Sequence, residues 1–295
     1  MNLKPDSKVL IQGITEPLAS IHVARMKAYG TNVVAGVSPG QGGQTVHDIP
    51  VFDLVEQALP TTGSIDTTII FKSPYLALDA ALEAIAANIR QIIIVTSGIP
   101  PLDMVYLLRI ADAHKTLIVG PNSMGIIIPG KLLLGTHPIE FYTPGPVGLI
   151  SRCGSLTSEV ALELTQAGFG QSMGVSIGSD AIVGSSFRQW LQTLNKDDNT
   201  KAIVLLGKTE GGNEETVVEY ITEEINKPVV VYIAGRYAPE VKRQRHASDL
   251  IVSQPAIEDE VSTAETKIGA FEKAKIPVAQ RPSQIPDLVK KALKK

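Results

Sequence analysis

The chain has 295 residues, 44% of them hydrophobic and 19% charged, with a net charge of −3. That length suits two domains with a substantial buried core, and the charge balance supplies no whole-molecule field for nucleic acid or an anionic membrane. The single cysteine, Cys153, excludes an internal disulfide and fits a reducing compartment.

Met1–Lys8 lacks the apolar core of a signal peptide and no apolar run reaches membrane-spanning length, so a cytoplasmic protein is expected. Short β-branched runs then alternate with helix-period stretches, which predicts parallel sheets covered by helices. In the first half a strand at Val9–Gln12 leads to a helix over Leu18–Tyr29, stopped by Gly30. Strand Asn32–Val37 and the turn Pro39-Gly40-Gln41-Gly42-Gly43 follow. Strand Thr68–Phe71, helix Leu76–Ala87, strand Gln91–Val95, helix Leu102–His114 and strand Thr116–Val119 complete this half.

Between Gly130 and Gly145 the pattern lapses into proline, glycine and aromatic residues, which sets a predicted boundary between domains 1–143 and 144–295. The alternation restarts with strand Val147–Ile150, helix Leu156–Gln166, strand Ser172–Ile177, helix Ser186–Leu194 and strand Ala202–Leu206. Helix Glu214–Ile225, strand Val229–Ile233 and an α-β-α tail close the chain. The expected fold class is α/β with two doubly wound domains. The lysines Lys290, Lys291, Lys294 and Lys295 read as a solvated last helical turn.

In such sheets ligands bind beyond the carboxyl ends of the strands, so the loops leaving those ends are the candidates. In the second half, Arg152-Cys153-Gly154-Ser155-Leu156-Thr157 opens a helix and offers backbone N–H groups and a helix dipole to an anion. Strand Val229–Ile233 feeds a basic loop from Arg236 to Ser248 that contains His246, a side chain able to carry a phosphoryl group. The pair suggests phosphoryl chemistry. No G-x-G-x-x-G is present, so a nicotinamide oxidoreductase is a poor reading. The five histidines are scattered and the cysteine is single, so no compact metal-ligand cluster is expected.

Taken in order, the loops resemble the α subunit of succinyl-CoA synthetase and related acyl-CoA ligases. The resemblance rests on Gly13-Ile14-Thr15, Val37-Ser38-Pro39-Gly40-Gln41-Gly42-Gly43, Gly98-Ile99-Pro100, Asp103-Met104, Gly120-Pro121-Asn122 and Ser151–Thr157. It continues through Gly168-Phe169-Gly170-Gln171-Ser172, Lys227–Val230, Ala234-Gly235, Ala238-Pro239 and His246. It implies a Rossmann-like CoA-binding domain followed by a flavodoxin-like ligase domain. It also implies a partner, an ATP-grasp β subunit that holds ATP or GTP and Mg, and an activity belonging to the tricarboxylic acid cycle. In the family's reaction phosphate passes through a histidine of the α subunit to a small carboxylic acid, and CoA then takes the acyl group.

On this resemblance His246 is the phosphohistidine, with Lys208 and Glu210 beside it in the catalytic set. Arg152, Cys153, Gly154, Ser155 and Thr157 form the phosphate cradle. CoA is assigned to Gly13, Thr15, Glu16, Ser38, Pro39, Gln41, Lys72, Thr96, Ser97, Gly98 and Asn122. Several of these positions depart from the family. Glu16 and Ala19 replace glycines, Gln41 replaces a lysine and Ser97 a glutamate. Lys208 stands where the family has a glutamate, with Glu210 close enough to substitute, and Arg245 and Ser248 replace glycines around the histidine. Cys153 and Ser158 replace a serine and a tyrosine.

These changes leave two readings: an acid–CoA ligase α subunit active only with a β subunit, or a non-catalytic descendant that binds an anionic metabolite, CoA or a partner. Either way weak CoA binding is expected. A carboxylate at Glu16 faces a helix start that would otherwise receive phosphate, a methyl at Ala19 stands where backbone should approach the ligand, and either replacement adds strain if its glycine had positive φ.

Overall fold

The structure, a computed structural model, describes residues 3–208, 217–235 and 264–294. The chain forms two compact units, Met1–His137 with Val183–Ser185, and Pro138–Ile182 with Ser186–Lys295. The first unit thus ends at His137, ahead of the expected boundary at 143/144.

In the first unit, strands β1 (Val9–Gln12), β2 (Val33–Val37), β3 (Thr45–Val46), β4 (Ile49–Phe52), β5 (Thr67–Ile70), β6 (Gln91–Ile94) and β7 (Leu117–Val119) lie in one sheet. Their order is β3-β4-β2-β1-β5-β6-β7, and every neighbouring pair but β3–β4 is parallel. β1, β5 and β6 are buried along their whole length, which is why none of them alternates apolar and polar residues. Helices α1 (Pro17–Ala28), α2 (Val55–Thr62), α3 (Ala77–Ala86) and α4 (Pro101–Ala113) connect the strands. α1 starts with proline at its first position and ends in a Schellman motif. There Gly30 (φ +95°) donates to Lys27 O, and Thr31 donates to Met26 O.

Two regions differ from the sequence expectation. Residues between Gly43 and Thr67 form β3, β4 and α2; β3 and β4 are joined by His47 and Asp48, both at positive φ, a two-residue turn without the glycine that would have advertised it. The stretch around Gly130 begins inside a hairpin, β8 (Gly125–Ile128) and β9 (Leu132–Gly135). Gly125 and Gly135 are paired across that hairpin, and a Cβ on Gly125 would sit 1.9 Å from Leu134 O. Close backbone approach therefore put glycines where a strand pattern needs side chains. The hairpin is tied to the unit by Thr31 Oγ1, which donates to Leu133 O at 2.7 Å.

In the second unit, β10 (Pro144–Ser151), β11 (Gln171–Ser176), β12 (Ala202–Gly207) and β13 (Val229–Ile233) run parallel in the order β13-β12-β10-β11. Val278 adds a parallel bridge to Val231 at the β13 edge, which gives the flavodoxin-like order. α5 (Gly154–Gln166) follows β10, α6 (Phe187–Lys196) follows β11, and α7 (Val218–Glu224) precedes β13. Ser186 caps α6 in a capping box with Gln189. α8 (Ala264–Lys273), the Val278 bridge and α9 (Ile285–Ala292) make the expected α-β-α tail, with Lys290 and Lys291 in the last turn of α9. No helix among the described residues is long and apolar enough to cross a membrane.

His137, at the end of the first unit, is buried and donates from Nε2 to Gly125 O at 3.0 Å. Burial lowers its pKa from 6.5 to about 4, outweighing the opposing effect of that hydrogen bond. The unfolded chain therefore takes up a proton near pH 6.5 that the folded unit refuses until about pH 4. Stability is complete above the unfolded value and falls through this window, by roughly 3 kcal/mol in all. Urea unfolding of wild type and His137→Gln between about pH 7 and about pH 4.5 should show the wild type losing roughly 2–3 kcal/mol more than the variant. Parallel losses in the two proteins would mean that His137 does not titrate as its burial requires.

Candidate functional site

In the first unit the chain turns from β1 into β2 and β4 on one side and into β5, β6 and β7 on the other, so the order reverses at β1. The loops at the carboxyl ends are joined to one another by hydrogen bonds. Gly13 N donates to Val37 O at 2.8 Å, and Thr15 Oγ1 donates to Ser38 Oγ at 2.9 Å. Gln41 N donates to Ser38 O, Thr96 Oγ1 donates to Lys72 O at 2.5 Å, and Asn122 N donates to Thr96 O at 2.8 Å. Gly13, Thr15, Ser38, Gln41, Lys72, Thr96 and Asn122 are thus gathered along one edge, with Glu16, Pro39, Ser97 and Gly98 in the same loops and exposed. Gly13 (φ +83°) is required on two counts, since a Cβ would also press on the backbone of Phe71 and Lys72.

Glu16 is the N-cap residue of α1, at φ −64° and ψ 139°, without a side-chain capping bond. Neither it nor the helical, fully buried Ala19 carries the backbone strain that a glycine with positive φ would have implied. The methyl of Ala19 faces the protein core, so it packs the helix rather than standing before a ligand. What remains of the departure is charge: a carboxylate at the start of α1, where the helix dipole favours an anion. Lys72 is half-buried, and its ammonium acts on the partly buried carboxyl of Glu83, whose pKa burial raises.

In the second unit the corresponding reversal falls at β10, and α5 starts immediately beyond it. Cys153 is the N-cap, and its carbonyl accepts the Thr157 N–H at 3.0 Å as the first bond of the helix. Helix geometry leaves the amides of Gly154, Ser155 and Leu156 without an intrahelical acceptor. Leu156 belongs to the stretch expected to offer backbone N–H groups, though its apolar side chain kept it out of the residues assigned to the cradle. Thr157 is turned the other way: it is buried, and both its N–H and its Oγ1 donate to Cys153 O. Ser151 Oγ accepts from Cys153 N at 2.9 Å and donates to Cys153 O at 3.0 Å, fixing the turn into the helix. Cys153 is half-buried, its Sγ 3.6 Å from Ser155 Oγ.

Two cations brace the loop after β11. Arg152, itself buried, donates from Nη2 to Asp180 O at 2.6 Å, and Lys208 donates from Nζ to Ser179 O at 2.6 Å. Ser151 pairs with Leu206 across β10 and β12, so Cys153 and Lys208 leave the sheet on neighbouring strands about 5 Å apart. Arg152, Cys153, Gly154, Ser155 and Lys208 are therefore brought together, with Ser179 and Asp180 as partners. Glu210 and His246 lie outside the described residues, as do Arg245 and Ser248. Among the described residues no group of His, Cys, Asp and Glu could hold a metal ion.

Comparison with known proteins bears on both edges. Residues 4–98 match the model of the CoA binding domain, and residues 150–274 match that of CoA-ligase. The succinate–CoA ligase [ADP-forming] subunit alpha of Aquifex aeolicus is 42% identical over 98% of this chain and 93% of its own length. Subunit alpha 2 of the same enzyme from Archaeoglobus fulgidus is 43% identical over 97% of each chain. The chain belongs to the succinate–CoA ligase α-subunit family. An ATP citrate lyase from Methanosaeta concilii, solved with (3S)-citryl-CoA, has the same fold, with a TM-score of 0.85 at 21% identity. That match covers 99% of this chain and 50% of the lyase chain, so the present chain spans about half of it.

At the first-unit edge the start of α1 thus carries the carboxylate of Glu16 beside the backbone turn at Gly13. Replacing Glu16 with Gln should strengthen CoA binding by about tenfold, and by more at low salt, because the relieved repulsion is electrostatic. Calorimetry of the two proteins against CoA at two ionic strengths measures this. Equal affinities at both would show that Glu16 does not face the CoA phosphates.

Proposed function

We propose that this chain is the α subunit of a nucleotide-dependent acid–CoA ligase, passing phosphate through His246 to a small carboxylic acid. The observation that supports it most directly is the start of α5. Three outward amides, a helix dipole and the loop braced by Arg152 and Lys208 meet at the reversal point of the second sheet. The relatives named above are ADP-forming succinate–CoA ligase subunits, which favours succinate as the acid and ATP as the nucleotide.

In this reading the neutral imidazole of His246 attacks the terminal phosphorus of the nucleotide held by the β subunit. An N–P bond forms and the P–O bond to the diphosphate breaks. The amides of Gly154, Ser155 and Leu156 hold the transferred phosphoryl oxygens, and the positive charges of Arg152 and Lys208 offset the charge that develops on them. A carboxylate oxygen of the acid then takes the phosphorus, returning the imidazole and leaving an acyl phosphate. CoA, when bound at the first-unit edge by the loops of Gly13, Ser38, Lys72, Thr96 and Asn122, supplies the thiol that becomes the thioester, and inorganic phosphate leaves. Lys208, where the family has a carboxylate, lowers the pKa of a nearby imidazole and so favours the neutral nucleophile. Cys153, as N-cap, contributes its backbone carbonyl to the helix rather than a nucleophile.

No phosphate loop of the G-x-x-x-x-G-K-[ST] kind occurs in the sequence, so the nucleotide site, with its Mg, is assigned to an ATP-grasp β subunit. The second reading, a non-catalytic descendant, draws on the charge changes at Glu16 and Lys208.

Intact-mass measurement under alkaline conditions, after incubation with the β subunit and ATP or GTP, separates the two. The chain should gain one phosphoryl group only when the β subunit is present, and His246→Asn should lose labelling and ligase turnover together. Label that persists in the variant places the acceptor elsewhere. An unlabelled wild type, beside a control α chain that is labelled, favours the non-catalytic descendant.

A further inference from the structure

Lys267, on α8, is buried to 1% exposure, a condition nearly unknown for lysine unless its ammonium is engaged. Its Nζ donates at 2.8 Å to the main-chain oxygen of Lys208, the residue immediately beyond β12. Lys208 reaches on from there to Ser179 O, and Arg152 holds Asp180 O one residue further along. Three cationic side chains thus tie together the carboxyl ends of β10, β11 and β12, the edge at which α5 begins. An apolar side chain of similar volume would fill the Lys267 position at lower desolvation cost, so packing alone gives no reason for an ammonium there.

We propose that Lys267 is a positioning residue for the phosphoryl group. Its hydrogen bond fixes the exit of β12, and with it the direction of the Lys208 side chain, while its charge adds a fixed positive field to the anion site at the start of α5. The inference rests on the phosphoryl-transfer reading above and adds to it a residue, far along the sequence from the cradle, on which recognition of phosphate depends.

The test uses the complex of the full chain with its β subunit, assayed from acyl-CoA, ADP and inorganic phosphate toward ATP. In Lys267→Met the KM for inorganic phosphate should rise about tenfold, with kcat changed much less. Lys267→Arg, which keeps the charge, should restore most of the phosphate affinity. If the methionine variant does not fold, Lys267→Gln carries the same test, because it keeps a donor and removes the charge. A phosphate KM that stays at the wild-type value in the folded neutral variant overturns the proposal, whether or not the melting temperature falls. A wild-type complex that forms no ATP from phosphate overturns the phosphoryl-transfer reading and this inference with it, an outcome seen before any variant is made.

Discussion

Parallel pairing is the constraint on which the rest depends. Because β1, β2, β5, β6 and β7 run one way, and β10 to β13 do likewise, the loops of each sheet that open toward ligands leave at a single edge. Residues distant in sequence are thereby set side by side without any of them contributing much to the core. Thr15 meets Ser38, and Asn122 meets Thr96, only because the strands that deliver them end together. In the second unit the same rule puts Arg152 and Lys208 on adjacent strands and lets both reach the loop after β11.

The two edges use different chemistry. The first is built from backbone turns that admit no bulk, as at Gly13, and from short hydroxyl and amide contacts, with a carboxylate at the mouth of α1. The second is cationic. Its three donor amides at the start of α5 need no side chain, while Arg152 and Lys208 hold the neighbouring loop after β11 and Lys267 holds the Lys208 carbonyl. An anion loses less by leaving water where fixed donors and charges already point at it, which is the general basis of electrostatic stabilisation in a site of this kind.

Most of the strands and helices were legible because burial on both faces writes an unbroken apolar run, as in Ile92-Ile93-Ile94, and because turns such as Gly30 end helices where they should. The hairpin of β8 and β9 was not, since close backbone approach demands Gly125 and Gly135 where a pattern reader looks for side chains. The β3–β4 turn was hidden for the opposite reason, positive φ at His47 and Asp48 rather than at glycine. In the proposed site, Arg152, Cys153 and Lys208 stand out in the sequence by residue type. The Lys267 ammonium does not, because it lies in a helix that reads as part of the α-β-α tail. The steric objection to Ala19 came from treating a core-facing helix position as if it faced a ligand.

The central claim is that the amides at the start of α5 receive the phosphoryl group. Backbone ¹⁵N–¹H NMR of the labelled full chain, titrated with inorganic phosphate, reports on those donors one at a time. The account predicts saturable shifts of the Gly154, Ser155 and Leu156 amides, with Thr157, whose N–H is already committed to Cys153 O, moving least among the four. Saturable shifts that leave residues 154–156 unmoved, or no saturable shift anywhere in the second unit, would contradict it.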